Sequence, residues 1–398
     1  MAVMAETLRL TLTKPLERTL ASGHPWIYRD AVDARSLEAI DAVAPGATVT
    51  VCGRKGRFLA RGFSDAGPIA VRVVTNRDEP LGPHLWARRV ARAAELRGAV
   101  VPPQTTAYRL VHGEGDRLPG CVADVYGALA VLRLYGSGVL AHAGALEAAL
   151  WPRLEALGVD TLLLRTGGRH EVTVRALRGV APDAPRAVLE HGMTLLVDPV
   201  HGQKTGLFLD HRESRRRVRA LSRDRRVLNL YAYTGGFSVA AGLGGAAHVT
   251  SVDVAPAAMT LAEATWAANG LPADAHRAVS MDVPAFLAAE RERRYDLIVA
   301  DPPSFAPSAD AVDAALESYR RLHAACLRAL VPGGLYLAAS CSSHVSAAAF
   351  DETLCDGARR AGRVTQILER HGAPADHPRL SGFPEGDYLK VALTRLID

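Results

Sequence analysis

The sequence reads Leu297-Ile298-Val299-Ala300-Asp301-Pro302-Pro303-Ser304-Phe305 at the stretch that decides its fold. A continuous apolar run of this kind is typical of a strand in a sheet that is covered on both faces, because such a strand has no polar side to show. The two prolines end the hydrogen-bonded ladder and fix the loop that follows. We therefore predict a buried parallel strand that ends at Asp301.

The same rhythm continues on both sides of this stretch. Apolar strands are predicted at 226–231, 249–253, 295–301 and 334–341, each followed by an amphipathic helix, at 237–241, 255–268, 310–330 and 347–361. Strands that alternate with helices predict an α/β domain with a doubly wound, Rossmann-like sheet. The apolar run at 388–393 is predicted to add an antiparallel strand at the edge of that sheet.

The first half of the chain has a different pattern. Short β-rich runs bounded by glycines, at 8–12, 47–52, 57–63 and 69–74, predict a small β-rich module. An arginine-rich helix at 85–96, a hairpin of 121–126 with 129–135, a helix at 140–157 and strands at 161–165 and 171–175 predict an α+β region. We divide the chain into domains at residues 1–78, 79–188 and 189–398.

Composition limits the class of protein. Of 398 residues, 48% are hydrophobic and 22% charged, which is typical of a globular chain, and the net charge of +5 favours anionic partners. The five cysteines are scattered and show no metal-ligand spacing, which predicts free thiols in a reducing compartment and no metal site. No secretory signal or membrane-spanning run is recognisable, so we expect a cytoplasmic protein without a membrane partner.

A glycine-bearing turn follows the first strand of the α/β region, in Asn229-Leu230-Tyr231-Ala232-Tyr233-Thr234-Gly235-Gly236-Phe237. Two glycines let the backbone approach a ligand at the amino terminus of a helix. The spacing differs from the Gly-x-Gly-x-x-Gly pattern of dinucleotide-binding proteins, which argues against a nicotinamide-dependent oxidoreductase. A turn that serves structure alone is an equal alternative.

Three acids follow successive strands at the same predicted edge of the sheet. Asp253 is suited to bind ribose hydroxyls, and Asp282 to accept from an adenine amino group; for both, the alternative is a helix N-cap. Asp301 can hydrogen-bond a planar amine or ring nitrogen, and its alternative is a structural turn. Together with the two glycines, these acids favour a methyltransferase.

Cys341 differs from the other cysteines because it follows a strand at this edge, in Ser340-Cys341-Ser342-Ser343-His344. A polar run of this kind could leave a thiolate accessible, which favours a nucleophile, with inert packing as the alternative. Cys326, on an apolar helix face, is interpreted as core.

Motifs along nearly the whole chain resemble the bacterial 23S ribosomal RNA 5-methylcytosine methyltransferases of the RlmI type. They are His24-Pro25-Trp26-Ile27-Tyr28 and Leu59-Ala60-Arg61-Gly62, Arg109-Leu110-Val111 with Asp116-Arg117-Leu118-Pro119-Gly120, Gly202-Gln203-Lys204-Thr205-Gly206-Leu207-Phe208-Leu209-Asp210-His211-Arg212, Asp376-His377-Pro378 and Pro384-Glu385-Gly386-Asp387-Tyr388-Leu389-Lys390. The resemblance implies an amino-terminal RNA-binding PUA-like domain, a central β-hairpin domain and a carboxyl-terminal domain that binds S-adenosyl-L-methionine.

The resemblance also implies roles for matching residues. Cys341 and Asp301 would be catalytic, with Cys341 attacking the cytosine ring and Asp301 holding its edge. Pro302, Pro303 and Ser304 would contact the target base. The cofactor would be bound by Lys204, Thr205, Phe208, Arg212, Asn229, Tyr231, Tyr233, Thr234, Gly235, Gly236, Phe237, Asp253, Asp282 and Asp301.

Within that set, Lys204 and Arg212 would lie near the cofactor carboxylate, a sensible pairing for cations; the alternative for Arg212 is a solvated surface position. One departure from the family is Ser304, which stands where the family has lysine and leaves base positioning open. Methylation of another base atom and a non-catalytic RNA-binding ribosome assembly factor remain alternatives. The expected partner is large-subunit ribosomal RNA. The oligomeric state, a homodimer included, and the base that removes the carbon 5 proton are left open.

Overall fold

The structure, a computed structural model, describes residues 8–53, 56–167, 172–290 and 294–398. Its strands form two five-stranded sheets, a two-stranded ribbon and a seven-stranded sheet, in that order along the chain. Of the helices in these residues, none combines the length and the apolar character that a membrane crossing requires.

The first sheet confirms the predicted β-rich module. Its elements are β1 (Leu8–Thr11), α1 (Glu17–Ala21), β2 (Trp26–Tyr28), α2 (Ala34–Asp41), β3 (Thr48–Cys52), β4 (Phe58–Ser64) and β5 (Ile69–Thr75), with strand order β1-β3-β4-β5-β2. Helix α2 begins after Asp33, whose carboxylate accepts from the Ser36 amide and so satisfies one free donor of the first turn. Gly62 is required in β4 because a Cβ there would lie 2.0 Å from the carbonyl oxygen of Arg72.

The second sheet belongs to the central region. Its elements are α3 (Pro83–Val100), β6 (Ala107–His112), β7 (Cys121–Tyr126), β8 (Leu129–Leu134), α4 (Ser137–Leu140), α5 (Ala143–Ala156), β9 (Thr161–Gly167) and β10 (Val172–Arg178), in strand order β10-β9-β8-β7-β6. The hairpin turn falls at Gly127, as predicted, with φ of 64°. The helix predicted at 140–157 is α5, and the short helix α4 precedes it. The Glu171 end of the last predicted strand lies outside the described residues.

A ribbon of β11 (Arg186–Glu190) and β12 (Met193–Val197) joins the central region to helix α6 (Arg212–Leu221). Residue 188, at which we divided the chain, lies inside β11.

The seven-stranded sheet confirms the doubly wound α/β fold. Its elements are β13 (Arg226–Leu230), α7 (Gly236–Leu243), β14 (His248–Asp253), α8 (Pro256–Ala268), β15 (His276–Ser280), α9 (Val283–Ala289), β16 (Tyr295–Ala300), α10 (Val312–Ala329), β17 (Leu330–Ser340), α11 (Ala347–Ala361), β18 (Thr365–His371) and β19 (Lys390–Leu396). The order is β15-β14-β13-β16-β17-β19-β18, with β13 to β17 parallel to one another and β19 antiparallel to β17 and β18.

One strand prediction was wrong in part. Strand β19 is antiparallel as predicted, but it is not an edge strand, because it lies between β17 and β18. Its side chains are nearly all buried, whereas β18 is mostly exposed and forms the edge. The physical reason is that β18 lacks the apolar pattern of a buried strand and yet pairs with β19 along its length.

The strand order reverses between β13 and β16, which is where ligands bind in open α/β sheets. Apolar side chains cover both faces of the sheet, with Val299 and Leu337 packed in one cluster and Ile298 and Tyr336 in another. The carboxyl ends of β13, β14, β16 and β17 therefore meet at one edge, and the predicted site residues follow these strands.

Candidate active site

The turn after β13 has an unusual backbone. Tyr231, Tyr233 and Gly235 have φ of 57°, 47° and 77°, although residues other than glycine rarely adopt positive φ. Left-handed residues alternating with others turn successive backbone amides toward one side, which makes concavities that bind polar ligands. A Cβ on Gly235 would lie 2.8 Å from the Cβ of Ala262 in α8, so glycine is required there. This strain favours the ligand-binding interpretation of the turn.

Asp253 and Asn229 lie beside this turn. Asp253 is not the N-cap of α8, since Ala255 occupies that position; its two oxygens accept from the amides of Tyr233 (2.9 Å) and Ala255 (3.0 Å). Its carboxylate is half-buried and keeps lone pairs for a ligand. Asn229 donates to Ser238, while its Oδ1 is buried without a hydrogen-bond partner. A buried acceptor without a partner is costly and is expected where a ligand completes the site.

Asp282 is the N-cap of α9, because its carboxylate accepts from the Ala285 amide at 3.0 Å. The alternative that the sequence offered for this residue is therefore present in the structure. Its exposed carboxylate still leaves room for a contact with adenine, which stays a prediction.

The segment from Lys204 to Phe208 connects the central region to the turn after β13. Thr205 is buried and donates to Asp124 of β7 at 2.5 Å. Phe208 packs edge to face on Tyr233, with ring centroids 5.3 Å apart. Lys204 is exposed, and its carbonyl oxygen accepts from Arg133 at 2.8 Å. These contacts hold the segment across the sheet edge. Among the described residues, no ion pair or hydrogen bond is found for the ammonium group of Lys204.

The structure does not leave Arg212 free. Its guanidinium is 1% exposed and donates to both oxygens of Asp376, at 2.8 and 2.9 Å. The solvated position considered from the sequence is therefore wrong. A contact of Arg212 with a cofactor carboxylate would require this ion pair to open, so the geometry favours a structural role.

Asp301 has a partner that the sequence reasoning missed. The Nε2 atom of His211 lies 3.1 Å from Asp301 Oδ2, and the imidazole is buried. Burial by itself lowers the pKa of His211, but the charges of Asp301 and Asp210 outweigh it, so the pKa is raised overall. His211 stands in a recognised segment of the sequence, yet no sequence signal connects it to Asp301.

Cys341 is half-buried, with its Sγ 3.8 Å from the carbonyl oxygen of Pro302. Burial and the negative charge of Asp301 raise the pKa of Cys341 to about 11, and the ammonium of Lys204 opposes this only in part. The thiol is therefore protonated at neutral pH, which differs from the accessible thiolate suggested by the polar run around it. A substrate or a conformational change must help to remove this proton.

Two polar contacts hold the loops that carry Asp301 and Cys341. Ser304 and Ser342 lie with their hydroxyl oxygens 3.1 Å apart, and Pro302 is buried between the loops, whereas Pro303 is exposed. Lys390, also missed, donates to the carbonyl oxygens of Ser342 (2.6 Å) and Tyr388 (2.9 Å), and burial lowers its pKa to about 8.

A cavity of about 370 Å³ is lined by all three regions of the chain. It is lined by Trp26 and Arg72 from the first sheet, by Arg109 and His112 from the second, and by Lys204, Phe208, Asp210 and Tyr388 from the α/β region. The first module thus faces the same cavity as Lys204 and Asp210, whose charges act on Cys341.

Comparison with known families identifies this arrangement. A family model of S-adenosylmethionine-dependent methyltransferases matches residues 149–390, and a model of PUA-like domains matches residues 10–76. The chain belongs to the S-adenosylmethionine-dependent methyltransferases. Relatives named ribosomal RNA large subunit methyltransferase I from Erwinia tasmaniensis and Shigella boydii are each 35% identical, over 98% of this chain and 100% of their own.

Solved structures agree with the fold of this methyltransferase. A proposed S-adenosylmethionine-dependent methyltransferase from Streptococcus mutans superposes with a TM-score of 0.85 at 24% identity, over 98% of this chain and all of the other. SMU.776, solved with S-adenosylhomocysteine, superposes with a TM-score of 0.86 over the same shares. The residues at the turn fit such a cofactor: the turn offers backbone amides, Asp253 offers acceptors for hydroxyls, and Asn229 Oδ1 is a buried acceptor without a partner.

Proposed function

We propose that this methyltransferase modifies carbon 5 of a cytosine in large-subunit ribosomal RNA through a covalent adduct with Cys341. The observation that carries the proposal is the position of Cys341 beside the Asp301-Pro302 loop, with the charge of Asp301 acting on its thiol. The names of the 35% identical relatives support the ribosomal RNA substrate.

Carbon 5 of cytosine is a poor nucleophile. Addition of a thiolate to carbon 6 turns the ring into an enamine-like species whose carbon 5 is nucleophilic. A hydrogen bond or proton from Asp301 at ring nitrogen 3 takes up the negative charge that this addition creates. When bound, S-adenosylmethionine supplies the electrophilic methyl group that carbon 5 takes. Removal of the carbon 5 proton then lets the Cys341 thiolate leave.

The target base has to leave its stack to reach Cys341. We propose that the cavity shared by the three regions admits it, with Pro302, Pro303 and Ser304 against the base. The cofactor would lie on residues 229–237 with Asp253 and Asp282, and under the segment of Lys204, Thr205 and Phe208. Residues 1–78 would act as an RNA-binding domain, 79–188 as a central domain and 189–398 as the methyltransferase domain.

The arginines of α3 do not form one free basic surface. Arg89 is buried and donates to the Val74 carbonyl, and Arg88 is paired with Glu79, so neither is free. Arg92 is exposed, and so is Arg77 on the neighbouring module. Both act electrostatically on Arg117, which indicates that they share one patch. We propose that this patch contacts the RNA backbone.

The decisive experiment replaces the nucleophile. Cys341→Ser should fold and bind cofactor and RNA but lose methyl transfer by several orders of magnitude, because a serine hydroxyl is a far weaker nucleophile. Cys326→Ser, in the core, and Cys355→Ser, on the surface, are the matched controls and should keep most activity. RNA that contains 5-fluorocytosine should trap the wild-type enzyme covalently, since fluorine cannot leave as a proton.

Two results would redirect the proposal. Near wild-type methylation by Cys341→Ser would indicate a non-covalent reaction at another base atom, for which Asp301 alone would position the amine. The absence of methyl transfer to any ribosomal RNA, with RNA binding intact, would favour a non-catalytic assembly factor.

A further inference from the structure

We propose that His211 is the positioning residue of Asp301: it holds one carboxylate oxygen and stores the proton that the target ring takes up at nitrogen 3. This inference rests on the proposed function, since it assigns a proton to the addition step of that reaction.

The geometry assigns each oxygen of Asp301. His211 Nε2 lies 3.1 Å from Oδ2, and this imidazole is 2% exposed. With Oδ2 held by the imidazole, Oδ1 is the oxygen that can face a base entering over the Pro302 loop. A carboxylate fixed on one side by a buried donor keeps its orientation when the substrate arrives, which reduces the cost of reorganisation.

The hydrogen-bond partners of His211 can accommodate an imidazolium. Its Nδ1 lies 3.2 Å from the Ser214 hydroxyl, which lies 2.9 Å from His371 Nε2. If His211 is an imidazolium, both of its nitrogens donate, and Ser214 donates onward to a neutral His371. Burial and then the charge of His211 lower the pKa of His371, which agrees with a single excess proton residing on His211.

Charged groups face His211 from each element packed against it. Asp301 follows β16, Asp210 precedes it in the chain, Arg215 lies on α6 and His371 ends β18, while the ring of Phe237 from α7 packs at 5.4 Å. Burial and Arg215 disfavour the imidazolium, and the two carboxylates favour it more strongly. The pKa of His211 is therefore raised, and the neighbouring carboxylates favour its protonated form.

The proton balance closes within one catalytic cycle. The Sγ proton of Cys341 leaves to solvent before the addition. As the Sγ–C6 bond forms, Asp301 takes the Nε2 proton of His211 and passes this same proton on to nitrogen 3. Asp301 thus remains ionised after the transfer, and His211 becomes neutral. When the Sγ–C6 bond breaks, nitrogen 3 returns its proton by the same route, and the carbon 5 proton leaves to a separate base. No oxidant, reductant or external acid is needed.

This role explains how the site works with Ser304 where the resembling family has lysine. Ser304 is directed to Ser342 at 3.1 Å and carries no charge. The cationic groups that act on Asp301 from α6 and the segment before it are His211 and Arg215. Arg215 is held by both oxygens of Glu190, at 2.6 Å each, which leaves His211 as the proton donor in direct contact with Asp301.

The role predicts a pH profile. Because the pKa of His211 is raised, the imidazolium is lost as pH rises through that value. Because the pKa of Cys341 is raised to about 11, the thiolate fraction keeps growing with pH over the same range. The wild-type kcat should therefore rise with pH and then level off above the pKa of His211, where the loss of imidazolium offsets the gain in thiolate.

The kinetic test compares His211→Gln, which keeps a neutral hydrogen-bond donor, with His211→Leu, which keeps none. His211→Gln should bind cofactor and RNA normally and lower kcat on the order of 10²-fold with KM little changed. Its kcat should also keep rising with pH over the range in which the wild-type kcat is level. His211→Leu should lose more. His323→Gln is the matched control, because His323 is equally buried and burial lowers its pKa to about 3, so it is neutral throughout the assay.

A second measurement does not depend on activity. In protein labelled with [¹³C]histidine, the His211 signal, assigned by its loss in His211→Gln, should titrate above 6.5 and shift to lower pKa in Asp301→Asn. Titration at or below 6.5, unchanged by Asp301→Asn, would overturn the inference, as would a kcat of His211→Gln that levels off at the same pH as the wild-type kcat. If wild-type enzyme forms no adduct with 5-fluorocytosine RNA, the proposed covalent reaction is wrong, and so is the proton transfer that depends on it. A raised pKa of His211 would still establish the ion pair with Asp301.

Discussion

Replacing Asp376 should lower the free energy of unfolding of this methyltransferase strongly and change its affinity for the cofactor little. Asp376 is 0% exposed and accepts two hydrogen bonds from Arg212, which is 1% exposed, and one from the Arg109 amide at 3.1 Å. In Asp376→Ala, the guanidinium of Arg212 stays buried and loses its two-bond partner, keeping only a contact with Glu213 at 3.3 Å. Breaking a buried ion pair in this way costs about 3–5 kcal/mol, which corresponds to roughly 6–20 °C in Tm for a domain of this size.

The assay is urea unfolding followed by circular dichroism, with cofactor affinity measured by calorimetry on the same variants. The double variant Arg212→Met/Asp376→Leu should recover much of the loss, because apolar side chains of similar volume can replace a buried pair. Glu317→Ala is the surface control: it removes a two-bond pair with the exposed Arg360 and should leave the urea midpoint unchanged.

The difference between wild type and Asp376→Ala should shrink in acid. Although burial by itself raises the pKa of Asp376, hydrogen bonds and charges from His377 and Arg212 hold it well below the ordinary value. A carboxylate with a depressed folded pKa stabilises the protein above its unfolded pKa of about 3.9, and this stabilisation is lost as pH falls below it. An Asp376→Ala protein of wild-type stability, or an Arg212→Met protein that loses cofactor affinity without losing stability, would refute the structural role of this pair.

Two further predictions concern the cofactor and the RNA. Asp253→Ala should weaken cofactor binding by about 1.5–3 kcal/mol, because the carboxylate offers acceptors for hydroxyls and also holds the Tyr233 amide; an unchanged affinity by calorimetry would remove Asp253 from the cofactor site. Arg77→Ala and Arg92→Ala should each weaken RNA binding and reduce the salt slope of the affinity by about 1, with Arg360→Ala as the control. Salt dependence identical to wild type would show that the patch does not contact phosphates.

The fold was predictable where the pattern is local. Strand β16 is a continuous apolar run that ends at two prolines, and its neighbours repeat that pattern, so the parallel sheet follows from the sequence. The position of β19 was not predictable in the same way, because it depends on β18, a mostly exposed strand that pairs with β19. Periodicity describes one strand at a time and does not report the order of strands in a sheet.

The candidate site was likewise predictable only where the sequence pattern is local. Asp253, Asp301 and Cys341 could be selected because each follows a strand, and parallel strands end at one edge. His211, Asp376 and Lys390 could not, because their roles depend on partners that only the folded chain brings near them. The same limit applies to α3, where arginines that look alike in sequence include Arg89, which is buried, and Arg92, which is exposed.

The buried charges also connect the central region to the segment that carries His211. Arg109 of β6 donates to both oxygens of Asp124, which accepts from Thr205 near the start of this segment. The Arg109 amide donates to Asp376, which holds Arg212 at the other end of the segment. His211 therefore lies in a segment that is fixed at both ends by the central sheet. Since an uncompensated buried charge is costly, neither ion pair can move without the other. Substitutions at Asp124 should consequently change the geometry of His211 and Asp301 even though Asp124 belongs to a different sheet.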